Sequence, residues 1–357
     1  MKISNQNGAR ILILLAAIAL TAIRFPASWV ENLYSTGVYP HLAACGKALT
    51  RWSPVPVLDV LLIATALGVP AYWIWRIRRA GAGGRRRAAG RAAFATLTLA
   101  ASLVCAFELL WGLNYQRLPL TAKLDWDSHR VNRQATLELA RTAIEHLNEE
   151  VAAARGRPMP EAAQWRAALE RSFRQVAREL GHRPDFSGVA PRSSIVNPFL
   201  DAAGVDGFVN PFGYEVILDE NVLAFEKPFL LAHEWSHLAG FADESEANFI
   251  GILTCLRSDL PAIRYSGWLN LWLYLPKPRP NSVESWPDLS TQVVSDINAM
   301  RERVRNRLRP TLANAQSRLY DSFLKANRVP AGIGSYGLVT RLMAGTRFEG
   351  NWRPLLR

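Results

Sequence analysis

The chain has 357 residues, of which 49% are hydrophobic and 20% charged, and its formal net charge is +12. Residues 1–114 contain twelve Lys or Arg against three acids, so a net +9 lies in the first third of the chain. Because this charge alternates with apolar runs, it indicates membrane topology, and we expect no nucleic-acid partner. The three cysteines, Cys45, Cys105 and Cys255, exclude a disulfide-rich scaffold and a cysteine zinc site.

Three apolar stretches predict three transmembrane helices, at about residues 11–30, 57–75 and 92–113. The second and third approach the roughly 20 residues that cross the hydrocarbon core of a bilayer. Trp73 and Trp75 end the second stretch as an interfacial aromatic belt. The first stretch is short, and a cleaved signal peptide is the rival interpretation. We favour a retained anchor because no small-residue cleavage site precedes the next charged segment.

An arginine-rich segment separates the second and third stretches. It contains Arg76, Arg78, Arg79, Arg85, Arg86, Arg87 and Arg91. By the positive-inside rule this segment stays in the cytoplasm, the N-terminus lies on the same side, and residues after 113 lie outside. The sequence therefore predicts a multi-pass protein of the cytoplasmic (inner) membrane. Residues 1–114 form its membrane anchor and residues 115–357 an extracytoplasmic domain.

The second part of the chain is predicted to be mostly α-helical with a small sheet, an α+β domain. Helices are expected from about Asp127-Ser128 to Ala154, and at Pro160–Leu180, Ser290–Leu308 and Thr311–Asn327. Tyr214–Leu218 has strand character. Leu260–Leu275 is very apolar but too short for a fourth span, which predicts a buried or membrane-surface helix.

The stretch from His233 to Gly240 contains the pattern HExxH. On a helix, His233 and His237 are four residues apart and point the same way, so both imidazoles reach one metal ion. Glu234 lies beside the first histidine and can take a proton from a water that attacks a carbonyl. Pro228 is a suitable first-turn residue and Gly240 a suitable C-cap, which predicts a helix of about three turns. The pattern predicts a zinc site.

A catalytic zinc needs a third protein ligand and an open position. Three acids follow the motif: Asp243, Glu244 and Glu246. The spacing to Asp243 resembles the extended metzincin pattern, although no methionine turn is recognisable downstream. In the other interpretation Asp243 caps a second helix that carries the ligand. We favour Glu244 and keep Glu246 and Asp243 as alternatives.

The second helix would begin at Glu244 and contain two small residues. Glu244, Ala247 and Asn248 resemble the spacing by which gluzincins present a glutamate from such a helix. Asn248 would share a face with Glu244 and orient a ligand. Ala247 and Gly251 would let this helix approach the HExxH helix closely.

The whole arrangement resembles a bacterial three-span membrane family of unknown function, whose members carry HExxH-x-x-G followed by an EANF helix. The resemblance is carried by HEWSHLAGF at 233–241, ESEANF at 244–249, Asn210–Glu215, Tyr320–Asn327 and Ser335–Gly337. It covers nearly the whole chain. It implies a gluzincin-like zincin domain and peptidase activity, and it names no substrate.

Two further features are candidates for roles in hydrolysis. Gly207–Leu218 would be either the edge strand that pairs with a substrate backbone or an ordinary core strand. Tyr336 would either donate to the oxyanion that forms during hydrolysis or be a packed tyrosine.

The sequence thus predicts a membrane-anchored zinc metallopeptidase that acts on a peptide or protein at the outer membrane face. Its metal ligands are His233, His237 and Glu244, and its catalytic residues are Glu234 and Tyr336. The alternative function is a non-catalytic membrane scaffold or sensor with a structural zinc site, closed by four protein ligands.

Overall fold

The computed structural model describes residues 5–156, 160–182, 188–277 and 287–357, which are mostly helical and contain two small sheets. The helices are α1 (Asn5–Ala22), α2 (Ala27–Thr50), α3 (Val57–Arg78), α4 (Gly81–Leu110), α5 (Arg133–Arg155), α6 (Ala162–Glu179), α7 (Asn197–Ala203), α8 (Lys227–Leu238), α9 (Glu244–Leu256), α10 (Pro261–Tyr274), α11 (Thr291–Arg307), α12 (Pro310–Ala326) and α13 (Val339–Gly345). The strands are β1 (Pro191–Arg192), β2 (Gly207–Asn210), β3 (Glu215–Leu218), β4 (Phe348–Glu349) and β5 (Arg353–Pro354).

Two helices are long and apolar enough to cross a membrane: α3 and the Gly83–Leu110 part of α4. The 22 residues of α3 rise about 33 Å, close to the roughly 30 Å of a hydrocarbon core. The two helices form a hairpin that contains the predicted second and third spans. Arg85–Arg87 lie in the first turns of α4 rather than in a loop, because arginine and alanine are strong helix formers.

The predicted first span does not run as one helix through residue 30. α1 ends at Ala22, and α2 continues at an angle of 107° to it, so the pair is either one broken span or a re-entrant segment. Pro26 lies at the break, where its ring and missing N–H oppose a continuous helix. The segment Val30–Val38 of α2 is π-helical.

The core of residues 115–357 is built around α9, all of whose residues are buried. α8, α10 and α6 pack against it. The apolar segment expected to be a buried or membrane-surface helix is α10, and its Ile263 and Leu269 are fully inaccessible, as the buried alternative predicts. That prediction is confirmed. Burial inside the protein accounts for the apolar composition of this segment, which is too short to span a membrane.

The strand expected at Tyr214–Leu218 is present as β3, which lies in the centre of a sheet of order β1-β3-β2. β1 runs parallel to β3, and β2 runs antiparallel to it from the pair Gly207–Leu218 to the pair Asn210–Glu215. β2 is therefore an edge strand of this sheet.

The helix expected from Asp127-Ser128 begins later. Asp127 caps only the 3₁₀ turn Ser128–Arg130, and α5 starts at Arg133 with Asn132 as its N-cap. A second capping side chain five residues downstream was therefore the true start signal.

Candidate metal centre

The HExxH helix is α8, and both of its ends follow the predicted signals. Pro228 occupies its first turn. After the helix, Gly240 adopts a left-handed φ of 85°. The N–H groups of Gly240 and Phe241 donate to the carbonyls of His237 and Ser236 at 2.9 and 3.0 Å. This is a Schellman ending, which needs glycine at Gly240.

Asp243, one of the alternative ligands, lies at the start of the second helix, α9. The Asp243 carboxylate accepts hydrogen bonds from the backbone N–H of Ser245 and Glu246 at 2.8 and 3.2 Å, so it is the N-cap. The Glu246 carboxylate is turned away and accepts from the Leu120 N–H at 2.6 Å. Only Glu244, of the three acids, faces the histidines.

Glycine sets the separation of the two helices. A Cβ at Gly251 would lie 3.2 Å from the His233 backbone nitrogen and 3.3 Å from Phe229 Cε2. The predicted close approach of α9 to α8 is therefore confirmed at Gly251. It brings Glu244 against the imidazoles.

The structure brings three donor atoms together. His233 Nε2 and His237 Nε2 lie 3.1 Å apart. Each lies 3.3 Å from Glu244 Oε2. Zinc bonds of about 2.0–2.1 Å in a tetrahedron place neighbouring donors about 3.3 Å apart. Two imidazoles and a carboxylate at these separations fit the three-ligand set of a catalytic zinc.

Two of these ligands are held by further hydrogen bonds. The His237 ring donates from Nδ1 to the Phe241 carbonyl at 2.8 Å, which leaves Nε2 free to bind a metal. The Tyr320 hydroxyl donates to Glu244 Oε1. Tyr320 was not among the predicted site residues. The only sequence signal for Tyr320 was its position in Tyr320–Asn327, one of the segments that resemble the membrane family.

Several buried polar atoms of the site lack a hydrogen-bond partner within the described part of the chain: His233 Nδ1, Glu234 Oε2 and Glu244 Oε2. Leaving such an atom unpaired costs about 1–3 kcal/mol, and more for a charged group. Glu244 Oε2 is one of the three converging atoms, and a cation between them would offset its cost. The donor set therefore fits a metal ion on energetic as well as geometric grounds.

The charges of the site act on one another strongly. Burial alone would raise the pKa of Glu244, but the charge on His237 and the close contacts of the carboxylate with both imidazoles hold this pKa well below its usual range. Burial would lower the pKa of His237, but the Glu244 carboxylate beside it raises that pKa to about 9. For Glu234, burial dominates and raises the pKa. The site thus has one firmly ionised carboxylate and one that holds a proton more readily.

Glu234 and the ligands lie on the wall of a cavity of about 990 Å³. The edge strand β2 forms part of the same wall, and a Cβ at Gly207 would lie 3.3 Å from Glu234 Oε1. Gly207 therefore allows Glu234 to lie against the strand. The cavity is large enough for several residues of an extended peptide.

Tyr336 also lines this cavity, as its predicted role requires. Burial, and then the Glu244 carboxylate, raise its pKa well above the ordinary value, so the hydroxyl stays protonated. Asn248 does not touch a ligand. Its amide donates to the Tyr336 carbonyl at 3.4 Å and to the Tyr274 hydroxyl at 3.3 Å, which corrects the expectation that it orients a ligand.

A family model described as "Protein of unknown function (DUF3810)" matches residues 34–344. The chain belongs to the DUF3810 family. No curated protein and no solved structure matches it. The matched range contains α3, α4, the three converging side chains and both tyrosines.

The DUF3810 match also spans the contacts between the membrane helices and the site. Trp111, just after α4, donates from its indole nitrogen to the His237 carbonyl at 2.9 Å. Tyr39 of α2 donates to the Leu238 carbonyl at 2.8 Å. Arg117 donates to the Gly240 carbonyl at 2.8 Å. The end of the HExxH helix is therefore fixed by the first part of the chain, a dependence that the sequence did not reveal.

Proposed function

We propose that the chain is a membrane-anchored, zinc-dependent metallopeptidase. The observation that carries this proposal is the convergence of His233, His237 and Glu244 at the edge lengths of a zinc tetrahedron, with Glu234 beside them on a cavity wall. A bound zinc would polarise the scissile carbonyl and make a water more acidic.

The chain's own residues supply the proton transfers. Glu234 Oε2 is unpaired, and its residue lines the cavity, so it can take a proton from the attacking water and pass it to the leaving amine. Tyr336, protonated and on the same cavity, donates to the oxyanion that develops on the substrate. Tyr320 holds Glu244 in its coordinating orientation.

A polypeptide is the substrate that the edge strand favours. In the described sheet β2 pairs with β3 alone, so its other edge is available to an extended chain. Because Gly207 of β2 adjoins Glu234, a strand added there would present its peptide bonds to the site.

The scaffold alternative requires a zinc enclosed by protein. A closed site needs a fourth protein ligand, and among the described residues three donors form the cluster. The large cavity beside the cluster favours the catalytic reading.

The test compares wild type with Glu234→Gln and His233→Ala, each as the full chain in detergent. Glu234→Gln should keep about one zinc per chain and cut cleavage of an unfolded protein by about 10²–10⁴-fold, because it removes the general base. His233→Ala should lose the zinc as well. Wild-type turnover in Glu234→Gln, or zinc binding by wild type without any cleavage, would refute the peptidase proposal.

We also propose that the site lies outside the cytoplasmic (inner) membrane. The arginines cluster where α3 and α4 join, and the site lies at the opposite end of this hairpin, beside the start of α3 and the end of α4. The positive-inside rule then places the site on the outer side.

A further inference from the structure

The cavity beside the metal ligands is partly walled by the membrane helices. Leu58 and Leu62 of α3 line it, as do Phe107 of α4 and Trp111 just after α4. All four lie at the end of the hairpin away from the arginines. Within one cavity, apolar side chains of two span-length helices therefore face the zinc-binding residues.

The cavity extends along the first turns of the span-length helix α3. Leu62 lies about 7 Å along the axis of α3 from its first residue, Val57. Trp52 is 77% exposed just before α3, and Trp29 is also exposed. Exposed tryptophans mark the membrane–water boundary. With Trp52 at the interface, Leu62, which lies inside the span-length helix α3, would face the hydrocarbon.

Apolar side chains of the cavity wall are also accessible rather than packed away. The lining residues Leu62, Phe199 and Ile333 are 40%, 45% and 43% exposed. Other apolar side chains are exposed nearby in sequence, at Ile195, Leu319 and Leu338. Exposed apolar residues at the mouth of a cavity suit contact with lipid and disfavour an opening to water.

From these observations we infer the substrate class: a membrane-anchored polypeptide, cleaved next to its hydrophobic segment, that enters from the bilayer between the ends of α3 and α4. This inference rests on the proposed peptidase function. A lipid would also fit an apolar entrance. A polypeptide fits better, because the edge strand β2 lines the same cavity and offers backbone hydrogen bonds that an acyl chain cannot use.

The test uses two synthetic peptide libraries and the full chain in phosphatidylcholine vesicles. Both libraries share a short randomised segment, and in one of them this segment continues into an apolar helix of about 20 residues. We expect the anchored library to be cleaved at least roughly tenfold faster than the free one, as differences in pocket contacts commonly produce. Equal or faster cleavage of the free library would contradict the inferred substrate class, while the proposed peptidase function would remain supported.

A pair of variants tests the entrance. Leu62→Trp adds bulk where α3 lines the cavity, and Leu67→Trp makes the same change at an exposed position of α3 that does not line it. Leu62→Trp should slow cleavage of the anchored library by at least roughly tenfold more than it slows cleavage of the free library. Leu67→Trp should change neither. The same effect on both libraries, or from both variants, would contradict entry between α3 and α4.

A binding measurement separates the two proposals. In the Glu234→Gln protein, an anchored peptide with a photoreactive group next to its apolar helix should crosslink to residues of the cavity such as Leu62 or Phe107. Crosslinking to these residues without any cleavage by the wild-type protein would support binding of a membrane-anchored peptide and contradict the peptidase activity. Crosslinking confined to the rest of the surface, or displacement of co-purified lipid alone, would overturn the inference.

Discussion

At the scale of single residues, Tyr320 shows how the site depends on a contact between distant parts of the chain. Its hydroxyl donates to a ligand 76 residues away. Tyr320→Phe should lower zinc affinity by about 10–100-fold, because the ligand loses the group that orients it. Competition with a chelator on the full chain measures this affinity.

Tyr265→Phe is the matched control. The Tyr265 hydroxyl donates to Asp296 at 2.7 Å, and this pair is not part of the site. Equal zinc affinity in Tyr320→Phe and wild type would contradict the orienting role.

The sequence was informative about residues whose relation is local. His233 and His237 are one helical turn apart, so their shared direction follows from the helix itself. Glu244 was only one of three alternatives, because which acid faces the histidines depends on how Asp243 caps α9. Trp111, which holds the His237 carbonyl across 126 residues, could not be predicted without the fold.

At the scale of elements, the packing of α9 on α8 depends on Gly251. Gly251→Ala would place a Cβ against the His233 backbone and the Phe229 ring. Neither is the far end of a flexible side chain that could move aside. We expect the free energy of unfolding to fall by about 1–3 kcal/mol, as overpacking commonly causes. Denaturation of the full chain in detergent measures this change.

Gly90→Ala is the control for that substitution. It lies inside a helix with nothing within 4 Å of the new Cβ. It should be neutral or stabilising by up to about 1 kcal/mol, because alanine is the better helix former. Equal stability changes in the two variants would show that Gly251 has no special role in the helix contact.

Element identities were more predictable than element boundaries. The apolar runs predicted α3, α4 and α10, since apolar length distinguishes a span from a buried helix. The bend between α1 and α2 escaped prediction, because the apolar pattern continues past the break and Pro26 alone does not tell a kink from an end.

At the scale of the whole molecule, the first part of the chain holds the HExxH helix in place. A chain of residues 115–357 alone would lack Trp111 and Tyr39, which donate to successive carbonyls at the end of α8. We expect this fragment to bind zinc at least about tenfold more weakly than the full chain, or to fail to fold, since buried carbonyls lose their donors. A soluble, monomeric fragment with wild-type zinc affinity in the same detergent would refute this dependence.

The proposed orientation in the membrane is tested with single cysteines in a chain whose three native cysteines are replaced. Trp52→Cys, exposed near the site, should react with an impermeant maleimide in spheroplasts. Gly83→Cys, exposed beside the arginines, should react only after lysis. The reverse pattern would place the site in the cytoplasm.

The first turn of α3 meets its hydrogen-bonding needs within the protein. The Glu215 carboxylate of β3 accepts from the N–H groups of Val57 and Leu58 at 2.9 and 3.3 Å. Free helix starts normally need water or headgroups for these groups. Because Glu215 accepts from both N–H groups, the first turn of α3 does not depend on water or lipid headgroups for these two hydrogen bonds. The sheet beside the site therefore positions the start of α3.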